Sequence, residues 1–228
     1  MSKLVVVSPH LDDAVFSSWH AIGKDTTLLT VFAGKPPEGT LAWWDRLCGA
    51  TDSRLMIEDR IKENEKAAGK IAGKTLYLEF LDAQYRDSPP DYSQIADEII
   101  KQTKPTDRYL FNLASSPWCH QDHILTRQAG VELLNRGFKV GFYADIPYMN
   151  LPGKPYAVYL KDLERKAQKL IGRPVTAVTA TLSDSEHKAK LAAVRQYKSQ
   201  YLVTNLTSFG RLGRYLKRRY EIEIRTDV

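Results

Sequence analysis

The sequence "KLVVVSPHLDD" at residues 3–13 contains a strand-like run that ends in one imidazole and two adjacent carboxylates. The run at 4–7 is continuously apolar and β-branched, which is typical of a strand covered on both faces in a parallel sheet. Polar side chains directly after such a strand lie at the carboxyl edge of the sheet, where α/β proteins bind ligands. This stretch therefore predicts both a fold class and the position of a functional site.

Further apolar runs repeat this pattern and alternate with helical stretches. We predict strands at 4–7, 26–33, 75–80, 108–114, 139–145 and 175–182, and helices at 13–24, 54–73, 92–102, 123–137 and 185–200. Such alternation forms βαβ units with right-handed crossovers. We therefore predict a Rossmann-like, doubly wound, mostly parallel α/β sheet of order 3-2-1-4-5 with helices on both faces. The alternating segment "RRYEIEIRTD" at 218–227 predicts an extra edge strand near the C-terminus.

Length and composition are those of an ordinary globular protein. From 228 residues, 43% of them hydrophobic and 26% charged, we predict a single domain over 1–228, with a basic C-terminal extension at 201–228 packed on it. No apolar segment reaches the roughly 18 residues of a membrane span and no secretory signal pattern is present, so we expect a cytoplasmic protein without membrane contact. Cys48 and Cys119 are expected to be free thiols.

The charge of the chain points to an acidic partner or substrate. The formal net charge is +6, and five of the basic residues lie in "RLGRYLKRR" at 211–219. No nucleic-acid recognition motif accompanies this segment, so we predict no nucleic-acid partner. A solvated face and a site for an anionic substrate group are the alternatives for these side chains. The sequence is compatible with a homo-oligomer as well as with a monomer.

A second polar motif, "HQDH" at 120–123, follows the fourth predicted strand. Strands 1 and 4 are neighbours in the predicted order, so the two motifs are expected to face each other across one crevice. Imidazole and carboxylate are zinc ligands, and a catalytic zinc site keeps three protein ligands and one open position. His10, Asp13 and one histidine of "HQDH" would form such a set. Asp12 and the other histidine would then serve in proton transfer.

Each motif also has a structural interpretation. A carboxylate at Asp12 or Asp13 would cap the following helix by accepting hydrogen bonds from its first amides. Two histidines spaced as in 120–123 are commonly surface or packed residues. The capping interpretation explains one carboxylate and leaves the second, and His10, without a role. The two motifs together therefore favour a metal site. His20 and His187 lie outside both motifs and are expected to be structural or exposed.

The two motifs together resemble the PIG-L/LmbE-like family of zinc-dependent N-deacetylases. The family pattern is usually "PHPDDE", and this chain has "PHLDDA", with Leu11 and Ala14 at the changed positions. Three looser segments also resemble the family: "RIKENEKAAGKIAG" at 60–73, "LEFLDAQYR" at 78–86 and "KLAAVRQYKSQ" at 190–200. The resemblance covers most of 1–200 and implies one LmbE-like deacetylase domain.

The resemblance implies roles for individual residues. His10, Asp13 and His123 would bind Zn²⁺, or another divalent metal such as Fe²⁺, and Asp12 would be the general base. Substrate contacts are implied or suggested for a further group of side chains: Arg60, Asp82, Trp43, Trp44 and Trp118.

His120 would, by the same resemblance, stabilise or protonate the tetrahedral intermediate, and Asp122 would orient it. Trp118 stands where some members of the family carry a carbonyl-polarising tyrosine. Trp43 and Trp44 lie in the long irregular segment 34–50, and three interpretations stay open for them. They would stack on sugar rings, anchor the segment to the core, or lie in a subunit contact.

The implied activity is hydrolytic removal of an N-acetyl, or other acyl, group from an amino-sugar or sugar-containing metabolite. The partner would be a small N-acetylated sugar, and the positive net charge favours an anionic one. Two alternatives stay open: a zinc hydrolase of another small amide, and a non-catalytic α/β module that binds an anionic sugar. A dinucleotide-binding role is disfavoured, because the turn after the first strand lacks GxGxxG and carries carboxylates.

Overall fold

One mixed sheet organises the molecule. The computed structural model describes residues 2–69, 71–116, 119–146, 148, 155–208 and 210–226. Within them, seven strands form a sheet of order β3-β2-β1-β4-β5-β7-β6. The strands are β1 (Leu4–Ser8), β2 (Thr26–Thr30), β3 (Lys74–Tyr77), β4 (Arg108–Asn112), β5 (Lys139–Tyr143), β6 (Val175–Thr181) and β7 (Tyr220–Thr226). The predicted α/β class and the order 3-2-1-4-5 are confirmed.

The first five strands are parallel, and β1 lies at the centre between β2 and β4. Val6 of β1 is in register with Leu28 of β2 on one side and Leu110 of β4 on the other. All three side chains are buried. Because β1 and β4 are adjacent and run in the same direction, the segments that follow them emerge at the same edge of the sheet.

The additional strands near the C-terminus are present, and their order differs from a simple extension of the sheet. β7 lies between β5 and β6 and is antiparallel to both. Ile222 and Ile224 of β7 are buried, as a strand inside a sheet requires. The outer position belongs to β6, which is rich in threonine and alanine and largely half-exposed.

The strands are connected mainly by helices. These are α1 (Asp13–Ser17), α2 (Trp43–Leu47), α3 (Ser53–Ala67), α4 (Tyr92–Gln102), α5 (Gln121–Asn135), α6 (Tyr156–Ile171), α7 (Asp184–Val194), α8 (Lys198–Thr207) and α9 (Arg211–Leu216). Short 3-10 helices cover Trp19–Ala21 and Ala83–Tyr85. In the part of the chain that the structure describes, no helix has the length and apolarity to span a bilayer.

Some helical predictions differ from the structure, and helices α2, α6 and α9 were not predicted. The helix predicted at 13–24 ends at Ser17, because Ser18 leaves the helical conformation with φ −140° and ψ 37°. The helix predicted at 185–200 is divided into α7 and α8. Helix α6 was not predicted, although its buried positions recur every four residues, which is the signal of an amphipathic helix. These positions are Tyr159, Leu163, Ala167 and Ile171.

Candidate active site

The turn after β1 carries three of the predicted site residues and is held by side-chain hydrogen bonds. Ser8 Oγ accepts from the Ala14 amide at 3.0 Å and donates to the carbonyl of His10 at 2.5 Å. The His10 amide donates to Asp13 Oδ2 at 2.9 Å. Asp12 occupies the N-cap position of α1 but makes no side-chain capping hydrogen bond. Capping therefore does not explain the carboxylate of Asp12.

Donor atoms of His10, Asp13 and His123 converge on one point. His10 Nδ1 lies 3.3 Å from Asp13 Oδ2 and 3.2 Å from His123 Nε2, and Asp13 Oδ2 lies 3.2 Å from His123 Nε2. Ligands about 2.0 Å from a tetrahedral Zn²⁺ lie about 3.3 Å from one another. The three residues thus form a group that could hold a metal ion, and their donor types and separations fit zinc.

Carboxylates bind the other ring nitrogens of both histidines. His123 Nδ1 lies 2.5 Å from Asp145 Oδ2, and His10 Nε2 lies 3.1 Å from Asp122 Oδ2. Asn112, the last residue of β4, donates to Asp145 Oδ2 at 3.1 Å. Such partners select the tautomer that directs the remaining nitrogen toward a metal. Asp145 was not predicted as a site residue, although a carboxylate just after β5, the strand next to β4, was a usable signal.

Asp122 was expected to orient His120 through its carboxylate, and the structure shows a different contact. The carboxylate of Asp122 lies 3.7 Å from His120 Nδ1, which is too far for a hydrogen bond, and contacts His10 instead. His120 Nδ1 accepts from the backbone amide of Asp122 at 3.3 Å and so caps α5. In the neutral ring this leaves the hydrogen on Nε2. The main chain of Asp122, rather than its carboxylate, orients His120.

Burial and mutual contacts shift the pKa values of the groups in this crevice. Burial, reinforced by the charge of Asp13, raises the pKa of Asp12 to about 7. Burial opposes ionisation of Asp13, but His123 and His10 hold the pKa of its carboxyl well below the usual range. Burial, reinforced by the positive charge of His10, lowers the pKa of His120 to about 4. We define the crevice cluster as His10, Asp12, Asp13, Asp122, His123 and Asp145, in which four carboxylates lie beside two histidines.

The two substrate contacts implied by the looser motifs have different surroundings. Asp82 lies in the crevice, with Oδ2 3.5 Å from His10 Nε2. Arg60 instead donates to Asp45 Oδ1 at 2.7 Å, and both side chains are buried. Tyr85 also donates to Asp45. The guanidinium of Arg60 thus forms an ion pair that links α3 to α2, and its substrate contact stays a prediction.

The tryptophans of α2 also differ from each other. Trp43 is 73% exposed, and its ring centroid lies 6.2 Å from that of Trp44. Trp44 Nε1 donates to Gln200 Oε1 of α8 at 3.4 Å, so Trp44 anchors this segment. Trp43 has the exposure that stacking on a ligand requires. Trp118 lies outside the described residues.

A second buried polar cluster lies beside β7. We define the β7 cluster as His20, Lys190, Glu221 and Glu223. Glu221 accepts from Lys190 Nζ at 2.5 Å and from the His20 amide at 2.8 Å, and its Oε2 lies 2.7 Å from His20 Nδ1. Burial alone would lower the pKa of His20, but hydrogen bonds to Glu221 and Glu223 raise it to about 9. Charges in the β7 cluster are paired, so we assign it a structural role.

A groove of about 400 Å³ lies at a distance from the crevice cluster and is lined by residues that include Leu4, Arg108, Lys139 and Arg225. Leu4, Arg108 and Lys139 begin β1, β4 and β5, so the groove is at the opposite edge of the sheet. None of the candidate metal ligands lines it. We therefore place the candidate active site at the crevice cluster, where the polar donors converge.

Comparisons with known proteins show the family of the chain. Residues 5–134, more than half of the chain, match the family described as PIG-L: GlcNAc-PI de-N-acetylase. A 2'-N-acetylparomamine deacetylase of Niallia circulans is 27% identical over 238 residues, covering 86% of this chain and 80% of the relative. The zinc-inhibited form of the teicoplanin deacetylase Orf2 has a TM-score of 0.74 and 23% identity, covering 99% of each chain. The A40926 pseudoaglycone deacetylase Dbv21 has a TM-score of 0.72 and 22% identity, covering 99% of this chain and 96% of its own.

Proposed function

The chain belongs to the PIG-L family of de-N-acetylases, and from this premise we propose that it is a zinc-dependent N-deacetylase of an amino-sugar unit. The proposed substrate is an aminoglycoside-like or other sugar-containing metabolite that carries an acetamide. The names of the relatives support this class, because they are deacetylases of 2'-N-acetylparomamine, teicoplanin and the A40926 pseudoaglycone. One observation carries the proposal: the donor atoms of His10, Asp13 and His123 converge within 3.3 Å beside Asp12.

The proposed metal ligands are His10 through Nδ1, Asp13 through Oδ2 and His123 through Nε2. A zinc ion held by these atoms would supply a water whose pKa is lowered toward 7 and would polarise the acyl oxygen. Another divalent metal such as Fe²⁺ accepts the same kinds of donor. The carboxylates behind the two histidines hold the rings in the orientation that binding needs.

The residues that would move protons lie next to these ligands. Asp12 lies between the proposed ligands His10 and Asp13 and makes no capping hydrogen bond. In our proposal it takes the proton of the attacking water and delivers it to the departing amine. His120 offers Nε2–H to the acyl oxygen while negative charge develops there. The water oxygen bonds to the acetyl carbon, the C–N bond breaks, and the products are acetate and a primary amine.

The test is metal analysis of the purified protein together with an amine-release assay. The probes are 2'-N-acetylparomamine, N-acetylglucosamine and a phosphorylated N-acetyl sugar, the last because the net charge is +6. The variants are Asp12→Ala and, as a matched control, Asp107→Ala, which removes a buried carboxylate that accepts from the amides of Lys3 and Lys104.

We expect divalent metal in all three proteins, and acetate release by the wild type and Asp107→Ala. Asp12→Ala should lose activity by about 10²–10⁴-fold, which is the usual contribution of a general base. Absence of metal from the wild type, or full activity of Asp12→Ala, would contradict the proposal. Release of an acid other than acetate would identify hydrolysis of a different amide. Sugar binding without turnover, unaffected by a chelator, would identify a binding module.

A further inference from the structure

Arg86 makes a tightly constrained contact with the central carboxylate of the "HQDH" motif. Its Nη2 donates to Asp122 Oδ1, and its Nη1 donates to the carbonyl of Leu81. The guanidinium also lies over the ring of Phe32, 4.9 Å from the centroid. The side chain of Asp122 is fully buried, and that of Arg86 is 9% exposed. A planar guanidinium with these three contacts fixes both the position and the plane of the carboxylate.

The carboxylate of Asp122 that Arg86 fixes is also in contact with the ring of His10. Asp122 Oδ2 lies 3.1 Å from His10 Nε2 and accepts from the Ala83 amide at 3.0 Å. With Arg86 on Oδ1, each carboxylate oxygen has a fixed partner. A carboxylate at this position keeps a hydrogen on Nε2 of the ring, so that Nδ1 faces the other two metal donors.

We propose that Arg86 is a positioning residue that acts through Asp122 to set the ring orientation and tautomer of His10 for metal binding. This inference rests on the proposed function, because it requires His10 to be a metal ligand. His123 is held differently, since its carboxylate partner Asp145 is bound by the neutral amide of Asn112. The carboxylate behind one ligand histidine is thus bound by a guanidinium, and the carboxylate behind the other by a neutral amide.

The test compares zinc affinities of metal-free proteins by competition with a chromophoric chelator. The variants are Arg86→Gln, Arg86→Lys and Asp122→Asn. The matched control is Arg127→Gln, which removes a half-buried guanidinium that binds the Ala114 carbonyl at 2.7 Å. We expect Arg86→Gln and Asp122→Asn to bind zinc about 10–100-fold more weakly, as is typical when a partner of a metal ligand is lost. Arg86→Lys should lose less affinity, because it keeps the charge, and Arg127→Gln should retain the wild-type affinity.

A second readout separates positioning from a general structural role. Visible absorption of the cobalt-loaded proteins reports the ligand geometry, and we expect its bands to change in Arg86→Gln and to be unchanged in Arg127→Gln. Asp122→Asn keeps the size of the side chain and provides the test if Arg86→Gln does not fold. Wild-type zinc affinity in Arg86→Gln and Asp122→Asn would overturn the inference alone. Failure of the wild type to bind zinc would overturn the inference together with the proposed function.

Discussion

The crevice cluster and the β7 cluster are both largely buried and both rich in charged groups, but their donor atoms are arranged differently. In the β7 cluster each carboxylate faces a cation: Glu221 contacts Lys190 and His20, and Glu223 contacts Arg225 at 3.0 Å. In the crevice cluster, donor atoms of the same kind face one another, as His10 Nδ1 and His123 Nε2 do at 3.2 Å. Two such donor atoms are stable so close together inside a protein when a proton or a metal cation lies between them. The difference indicates that donor atoms converging on one point, rather than buried charge by itself, mark the functional site.

The largest expected effect is on the β7 cluster. Lys190→Met removes the ammonium from the buried carboxylate of Glu221 and should lower the free energy of unfolding by about 3–5 kcal/mol. Activity per folded molecule should be unchanged, because the β7 cluster supplies no ligand in our proposal. Urea unfolding of the metal-free protein measures the loss. A loss of less than about 1 kcal/mol, which is the value of an exposed ion pair, would contradict the buried pairing.

The next largest effect is on the rate of catalysis, through His120 beside the crevice cluster. His120→Ala should lower kcat by about 10²–10³-fold, which is the usual cost of losing one donor to a developing oxyanion. Zinc affinity and stability should hardly change, because His120 is half-exposed and is not one of the three proposed ligands. A large loss of zinc affinity would instead favour the second group that could hold a metal, which is His10, His120 and Asp122. Steady-state kinetics checks this, with His187→Ala as the control for a remote histidine. Equal loss of activity in His187→Ala would make the effect nonspecific.

Metal should stabilise the fold through the crevice cluster alone. Adding zinc at about 100 times its Kd to the metal-free wild type should raise the free energy of unfolding by about 2.7 kcal/mol, because only the folded chain assembles the three donors. His123→Ala should show no such gain, whereas Lys190→Met should keep it. Thermal or urea unfolding with and without zinc measures these differences. A gain that survives His123→Ala would place the metal elsewhere.

The smallest effect is the pH dependence of the β7 cluster. The pKa of His20 is raised from 6.5 to about 9, so its protonated form stabilises the fold fully below about pH 6.5, and this stability is lost as the pH rises through 9. The wild type should lose about 2 kcal/mol more than His20→Gln between pH 6.5 and 8.5. Urea unfolding of both metal-free proteins at the two pH values measures the difference. Parallel losses in the two proteins would show that His20 is not paired with Glu221.

Some of the candidate site could be predicted because its residues directly follow strands of recognisable pattern. His10 and His123 belong to short motifs after β1 and β4, and these strands are neighbours in any sheet of order 3-2-1-4-5. Arg86 and Asp145 could not be placed in this way. Arg86 lies in an irregular segment, and its contact with Asp122 depends on how the chain folds over Phe32. Helix α6, by contrast, was missed although its four-residue period of buried positions was present in the sequence.

What the sequence by itself determined is the fold class, the central strand order and the edge of the sheet at which two polar motifs meet. These follow from local patterns, since continuous apolar runs form buried parallel strands and short polar motifs end them. Only the tertiary structure decided which nitrogen of each histidine faces the metal donors and that the carboxylate of Asp122 belongs to His10. It also decided that Arg60 forms an ion pair with Asp45. These features depend on differences of a few tenths of an ångström in the distances between side chains that are far apart in the chain. Local sequence patterns do not encode such differences.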